Sequence, residues 1–130
     1  MPLNARVLKA APARLGRALK IARALPEVDC QPVGTGHWSF TIRKKTFAYY
    51  QHDHHGDGMI ALVVKSTRLE QHRLMAADGL SYFSPAYLGA KGWAGLRVDL
   101  PRLDWGEVER LLRDGYRLAA PKKLAALLET

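Results

Sequence analysis

Residues 52–58 read HDHHGDG, three histidines and two aspartates closed by two glycines. Imidazole nitrogens and carboxylate oxygens at this density are the raw material of a zinc site, which needs three or four such donors in a tetrahedral array. His52, His54, His55 and Asp57 supply enough atoms for one, but their spacing works against them. Neighbours at an extended strand end point to opposite faces, so His52 and His54 can cooperate while Asp53 and His55 face away. A third ligand has to come from His37 or His72, the only distant histidines. The sequence is therefore read as holding no metal and no cofactor, with the segment a solvated loop. Its histidines keep a milder use. They titrate near pH 6.5, and if this surface met phosphate, affinity would rise as pH falls from about 7.5 to 6.

Other reactive constellations are missing. The chain has no G-x-S-x-G, no Walker loop and no H-E-x-x-H, the spacings that nucleophile elbows, phosphate cradles and zinc proteases require. VGTGHW at 33–38 has two glycines but runs into a strand, without the helix N-terminus that would hold a phosphate, so it reads as a bend entering a sheet. Asp104 and Glu107 have the spacing of a helix cap. Cys30 is the sole cysteine; it allows no intrachain disulfide and reads as a small buried hydrophobe. The expectation is a protein that is not an enzyme.

Charge is more informative. The 130 residues carry a formal +8 with a pI near 9.9. Residues 1–24 hold Arg6, Lys9, Arg14, Arg17, Lys20 and Arg23 with no acid, +6 of that +8, which leaves +2 for the other 106 residues. On a helical wheel Leu15, Ala18, Leu19, Ala22 and Leu25 fall on one half, and Arg14, Arg17, Lys20 and Arg23 on the other. That is an amphipathic helix with an all-basic face, an electrostatic footprint for phosphate. Pro12 fits its first turn and Pro26 its stop, with residues 1–11 ahead of it as a flexible basic N-terminus. The early charges stand where a signal peptide needs an apolar stretch, and no run nears the ~20 apolar residues of a membrane span. A soluble, cytoplasmic protein without membrane contact is expected; the sequence does not specify its oligomeric state.

The middle of the chain changes period. In HWSFTI, Trp38, Phe40 and Ile42 alternate with His37, Ser39 and Thr41, a half-buried strand. RKKT turns it back into TFAYYQH, with Phe47 and Tyr49 on one face and Ala48 and Tyr50 on the other, and MIALVVKS follows as a third strand. HDHHGDG lies between the last two, so it is a hairpin connection. Thr67 and Glu70 form a capping box for a short helix to about Ala77. GLSYFSPAYLGAKG is a loop or irregular strand region rich in aromatics, and GWAGLRVDL alternates Trp93, Gly95, Arg97 and Asp99 against Ala94, Leu96 and Val98. A helix follows from Asp104 with Trp105, Val108, Leu111, Leu112 and Tyr116 on one face, and Pro121 opens a last short helix with Leu124, Leu127 and Leu128 inward. The class is α+β: one domain over residues 1–130, with a single antiparallel sheet, helices packed on one face, an N-terminal helix and two C-terminal helices.

LPEVDCQPVGTGHWSFTIRKKTFAYY, SPAYLGAKGWAGLRVD and YRLAAPKKLAALL resemble the MmcQ/YjbR family of small bacterial proteins, over about residues 17–128. The resemblance implies an antiparallel sheet in a double-wing arrangement and DNA binding. Pro85, Tyr87, Gly92, Trp93 and Asp99 match its aromatic block; Tyr116, Pro121 and Lys122 match its C-terminal signature. Where that family commonly has Gly-Lys in the first hairpin, this chain has Lys44-Lys45, which implies a more basic wing and a turn that is longer or of type I.

Nucleic acid needs cations for phosphates and aromatics for bases. The cations expected to serve are Arg14, Arg17, Lys20 and Arg23 on the first helix, Arg43, Lys44 and Lys45 on the hairpin, and Lys65, Lys91 and Arg97 on or beside later strands. The function expected is backbone binding to DNA or RNA through the basic helix and hairpin. The alternative is a small anionic ligand, or a protein partner, at the aromatic loop 82–93, in a pocket of Tyr50, Tyr82, Phe83, Tyr87 and Trp93 with Lys65 or Arg97 at its floor.

Overall fold

The computed structural model describes residues 5–128, and side chains from residue 11 onward; Arg6 and Lys9 therefore lie outside the described side chains. Helix α1 spans Ala5–Arg23. Pro12 lies inside it and not in its first turn, because the alanine- and leucine-rich residues ahead of it are strong helix formers and carry the helix across the one missing backbone donor.

Six strands follow: β1 (Val28–Val33), β2 (His37–Ile42), β3 (Lys45–His52), β4 (Ile60–Val64), β5 (Tyr82–Phe83) and β6 (Ala94–Arg97). They form one antiparallel sheet in the order β1-β2-β3-β4-β6-β5. β1 and the two-residue β5 are the strands that periodicity did not single out; β1 lies at one edge of the sheet. It carries Pro32, which cannot donate to a ladder and is tolerated here because β1 is an edge. Helix α2 (Arg68–Ala77) joins β4 to β5, and α3 (Trp105–Ala119) and α4 (Lys122–Ala126) close the chain. Thr67 caps α2 by accepting from the Glu70 N–H at 3.2 Å, and Asp104 caps α3 through Gly106 at 2.9 Å and Glu107 at 3.3 Å.

One row of cross-strand partners, Pro32, Trp38, Tyr50, Leu62, Leu96 and Tyr82, faces the helices. Between them pack Phe40, Ile42 and Val64 from the sheet, Ala18 and Ala22 from α1, Leu74 from α2, and Val108, Leu112 and Tyr116 from α3. Fully burying an aliphatic side chain of this size contributes about 1.5–3 kcal/mol, so this face is the core. The adjacent row, Gln31, Ser39, Tyr49, Val63, Gly95 and Phe83, looks the other way; Ala61, Val63 and Trp93 are buried outside the helix-facing cluster.

Strict alternation grouped Phe47 with Tyr49. A register shift between Phe40 and Thr41 breaks the alternation, as an extra residue in a ladder does, and Phe47 becomes wholly buried against the Tyr116 ring, 5.8 Å between centroids. Leu127, expected to point inward, is exposed; α4 is little more than one turn, and Leu124 and Leu128 are its residues that reach the core cluster.

Candidate nucleic-acid interface

Antiparallel strands send their connections alternately to opposite ends of a sheet. One end receives the β2–β3 turn, the exit of β4 at Lys65, and the β5–β6 loop of residues 84–93. The Lys65 N–H donates to the Phe47 carbonyl at 2.8 Å, tying the β4 exit to the β3 entry. The other end receives the Gly34–Gly36 turn, the loop of residues 53–59 and the chain after β6. The first carries Lys44, Lys45, Lys65, Lys91 and Tyr87, and is the lysine end; the second carries the histidines.

At the lysine end, β2 and β3 are joined by two residues, with Ile42 facing Lys45. Arg43 (φ 50°) and Lys44 (φ 67°) are both left-handed, the signature of a type I′ turn. The expectation of a longer or type I turn is corrected by twist: type I′ follows the right-handed twist of the flanking strands, whereas type I splays them. Two side-chain-bearing residues with positive φ cost about 1 kcal/mol or more each. The Arg43 guanidinium helps hold the turn by donating to both Glu27 carboxylate oxygens, at 2.8 and 3.0 Å, which holds the Glu27 carboxyl below its ordinary range. Lys44 and Lys45 stand exposed at the tip.

The ten expected phosphate-binding cations divide into four groups. Arg14 is a structural tie: its guanidinium donates to the carbonyls of Val98, Leu100 (2.7 Å) and Pro101 (3.2 Å), fastening α1 to the chain after β6. Arg97 and Arg43 are ion-paired, Arg97 with the buried carboxylate of Asp99 at 2.7 Å. Arg17, Arg23 and Lys65 lie over the rings of Trp105, Trp38 and Trp93, at 4.5, 5.8 and 5.9 Å. Lys20, Lys44, Lys45 and Lys91 are exposed and have no such partner among the described residues. The uniform basic face of α1 was legible in sequence; what it did not reveal is that Arg14, Arg17 and Arg23 serve the fold. Lys20 borders a groove of about 600 Å³ between α1 and α3, with Ile21, Leu25 and Leu128 among its lining residues. Lys122 and Lys123, which sequence reasoning left out of the footprint, open α4 directly after the α3 end that lies against Phe47 and Lys65.

The five aromatics of the alternative pocket do not converge on one site; Phe83 lies in the row that faces away from the helices, its ring against Gly95. Tyr50 and Tyr82 share the helix-facing row and are buried. The Tyr82 hydroxyl donates to Glu107, whose carboxylate also receives Arg110; burial first, then Glu107, pushes the phenol well above its ordinary range. Glu107 is thus more than a helix-capping residue, a role its N3 position concealed. The Tyr50 hydroxyl has no hydrogen-bond partner among the described residues, and burial raises its pKa to about 12. Trp93 lies on the opposite face beside Tyr49, 6.0 Å between rings, and Tyr87 points to solvent at 84% exposure.

At the opposite end, HDHHGDG connects β3 to β4 as expected. Its aspartates serve its backbone: the Asp53 carboxylate accepts from Gly58 at 2.8 Å and the Asp57 carboxylate from Met59 at 2.9 Å. His37 joins the cluster from β2, with its ring 5.3 Å from that of His54 and its Nδ1 accepting the His52 N–H at 3.1 Å. Among the described residues no group of three His, Cys, Asp or Glu is arranged to hold a metal ion. Burial, then the neighbouring histidines, lowers the His37 pKa.

The chain is thus an α+β protein with one helix-covered sheet face and a lysine-rich sheet end. The YjbR family model matches residues 23–118, and the protein belongs to that family. Its fold is similar to the crystal structure of Deinococcus radiodurans protein DR2400, which carries a DUF419 domain, at a TM-score of 0.63 and 19% identity over 80% of this chain and 76% of that one. No curated protein matches the chain by sequence. Among the described residues no helix is long and apolar enough to cross a membrane.

Proposed function

We propose that this is a cytoplasmic, non-enzymatic protein that binds DNA or RNA through the phosphate backbone at the lysine end of its sheet. The convergence of Lys44, Lys45, Lys65 and Lys91 from separate connections carries the reading. The connections that form this end lie in stretches without any acidic residue, 30–52, 58–69 and 79–98, and nearby Glu27 is neutralised by Arg43. Strands lie about 4.8 Å apart, so the β2–β3 tip and the β5–β6 loop are separated by about three spacings, or ~14 Å. That is about four phosphates along one strand of a duplex. Arg14, Arg17 and Arg23 contribute less than their number suggests, because each already has a partner within the protein.

The test is a salt titration by fluorescence anisotropy with a labelled oligonucleotide. The affinity of the native protein should fall steeply with salt, and Lys44→Glu/Lys45→Glu should weaken binding at least about tenfold and flatten the slope by roughly 0.9 per lost phosphate contact on duplex DNA. A salt-independent affinity, or full binding by the double variant, rejects this interface.

A further inference from the structure

The β5–β6 loop combines a tightly fastened backbone with one outward-facing ring. The Leu88 N–H donates to the Ala86 carbonyl at 2.7 Å, and Tyr87 between them has φ 64° and ψ −54°. This is a γ-turn of the rare, strained hand. Such a conformation in a residue with a side chain costs on the order of 1–3 kcal/mol and persists where the surroundings over-determine it.

Those surroundings are visible. Gly89 donates to the Pro85 carbonyl at 2.7 Å and Trp93 to that of Leu88 at 3.2 Å. The buried Gln71 amide, reaching up from α2, donates to the carbonyls of Gly89 and Trp93 at 3.0 and 2.6 Å, and Arg68 donates to Ala90 at 2.8 Å. A Cβ on Gly89 would lie 2.0 Å from Ser84 Oγ, and one on Gly92 2.8 Å from the Arg68 backbone nitrogen. Everything around Tyr87 is pinned, while its own side chain is 84% exposed.

We infer that Tyr87 is a preorganised stacking platform for an unpaired nucleobase, so that the lysine end takes single-stranded nucleic acid in preference to duplex. The inference rests on the nucleic-acid reading above. An exposed aromatic face beside cations is what single-strand binders use, because an unpaired base can leave its neighbours and lie on a ring while its phosphates meet lysines. Duplex bases are already stacked on one another. Lys91 follows four residues after Tyr87, Lys65 stands over Trp93 at the base of the same loop, and residues 79–98 carry no acid.

Anisotropy with a labelled oligo(dT) strand and a duplex of equal length tests this in the full chain. The native protein should prefer the single strand. Tyr87→Ala should lose about tenfold for the single strand and leave duplex affinity unchanged, with Tyr87→Phe retaining both. Tyr87→Gly separates binding from folding. It should lose single-strand affinity as the alanine variant does, yet melt about 4 °C higher, because glycine accepts the positive φ. Equal single-strand binding by native protein and Tyr87→Ala overturns the platform but spares the phosphate reading, which Lys44→Glu/Lys45→Glu tests on duplex. A native protein that binds neither form overturns both. Loss of self-association by Tyr87→Ala in sedimentation, without any change in single-strand affinity, would also overturn the platform and assign the ring to a protein contact.

Discussion

At the lysine end of the sheet, a two-residue turn and a pinned loop push Lys44, Lys45, Lys91 and Tyr87 into solvent; at the other end, the loop of residues 53–59 turns its aspartates back on its own backbone and draws its histidines together with His37. Both ends use positive φ at residues with side chains, Arg43, Lys44 and Tyr87 at one and Asp53 and His55 at the other. The difference lies in where the polar groups find partners. Inward hydrogen bonds occupy the two aspartates of HDHHGDG and the His37 ring, whereas Lys44, Lys45 and Lys91 are left with solvent. Density of reactive residue types is therefore a weaker guide to a binding surface than the hydrogen bonds left unmade.

The two ends of the sheet should differ most in affinity for nucleic acid. His52, His54 and His55 replaced together by Gln should leave oligonucleotide binding within about twofold of the native protein, against the tenfold or greater loss expected at the lysine end. The rise in affinity between pH 7.5 and 6 considered for the histidines should also be absent, because they lie at the far end; parallel losses in both sets of variants would merge the two ends into one surface.

The next largest effect is on stability against pH. The fold favours neutral His37, so its pKa is lower in the folded than in the unfolded chain. The unfolded chain then binds more protons around pH 6, and the contribution of His37, present above about pH 6.5, is lost as pH falls through its folded value. His37→Asn keeps an acceptor for the His52 N–H without a titrating ring. Melting temperatures from pH 7.5 to 5.5 should fall less for this variant than for the native protein, and identical profiles would show that the histidine end does not titrate with folding.

Smaller effects sharpen the account of the lysine end. Lys44→Gly relieves one left-handed side-chain residue in the type I′ turn and should stabilise the protein by about 1 kcal/mol in urea unfolding while weakening nucleic-acid binding; destabilisation would point to a different turn. Tyr50→Phe removes a buried hydroxyl that has no partner, and should be neutral or stabilising by up to about 1 kcal/mol. A clear loss of stability would mean that this hydroxyl has work to do, and would reopen the aromatic pocket.

Much of the architecture was legible because it is local. The caps at Thr67 and Asp104, the 3.6-residue period of α3 and the alternation of β2 and β6 are read from neighbours a few residues apart. Phe47 escaped that reading because a register shift is a relation between two strands. Arg14, Arg17 and Arg23 escaped it because their partners, the carbonyls after β6 and the rings of Trp105 and Trp38, come from distant sequence.

The sequence by itself determined the α+β class, the segments that become strands and helices, the positive charge and the acid-free stretches. Periodicity and composition are sums over nearby residues. The tertiary structure alone decided that three connections bring their lysines to one end, that the histidines stand at the other, that Tyr50 and Tyr82 turn away from Trp93, and that Tyr87 is held outward on a strained backbone. Each of these depends on which strands pair, in what register and on which face, and strand pairing joins residues that the sequence keeps apart.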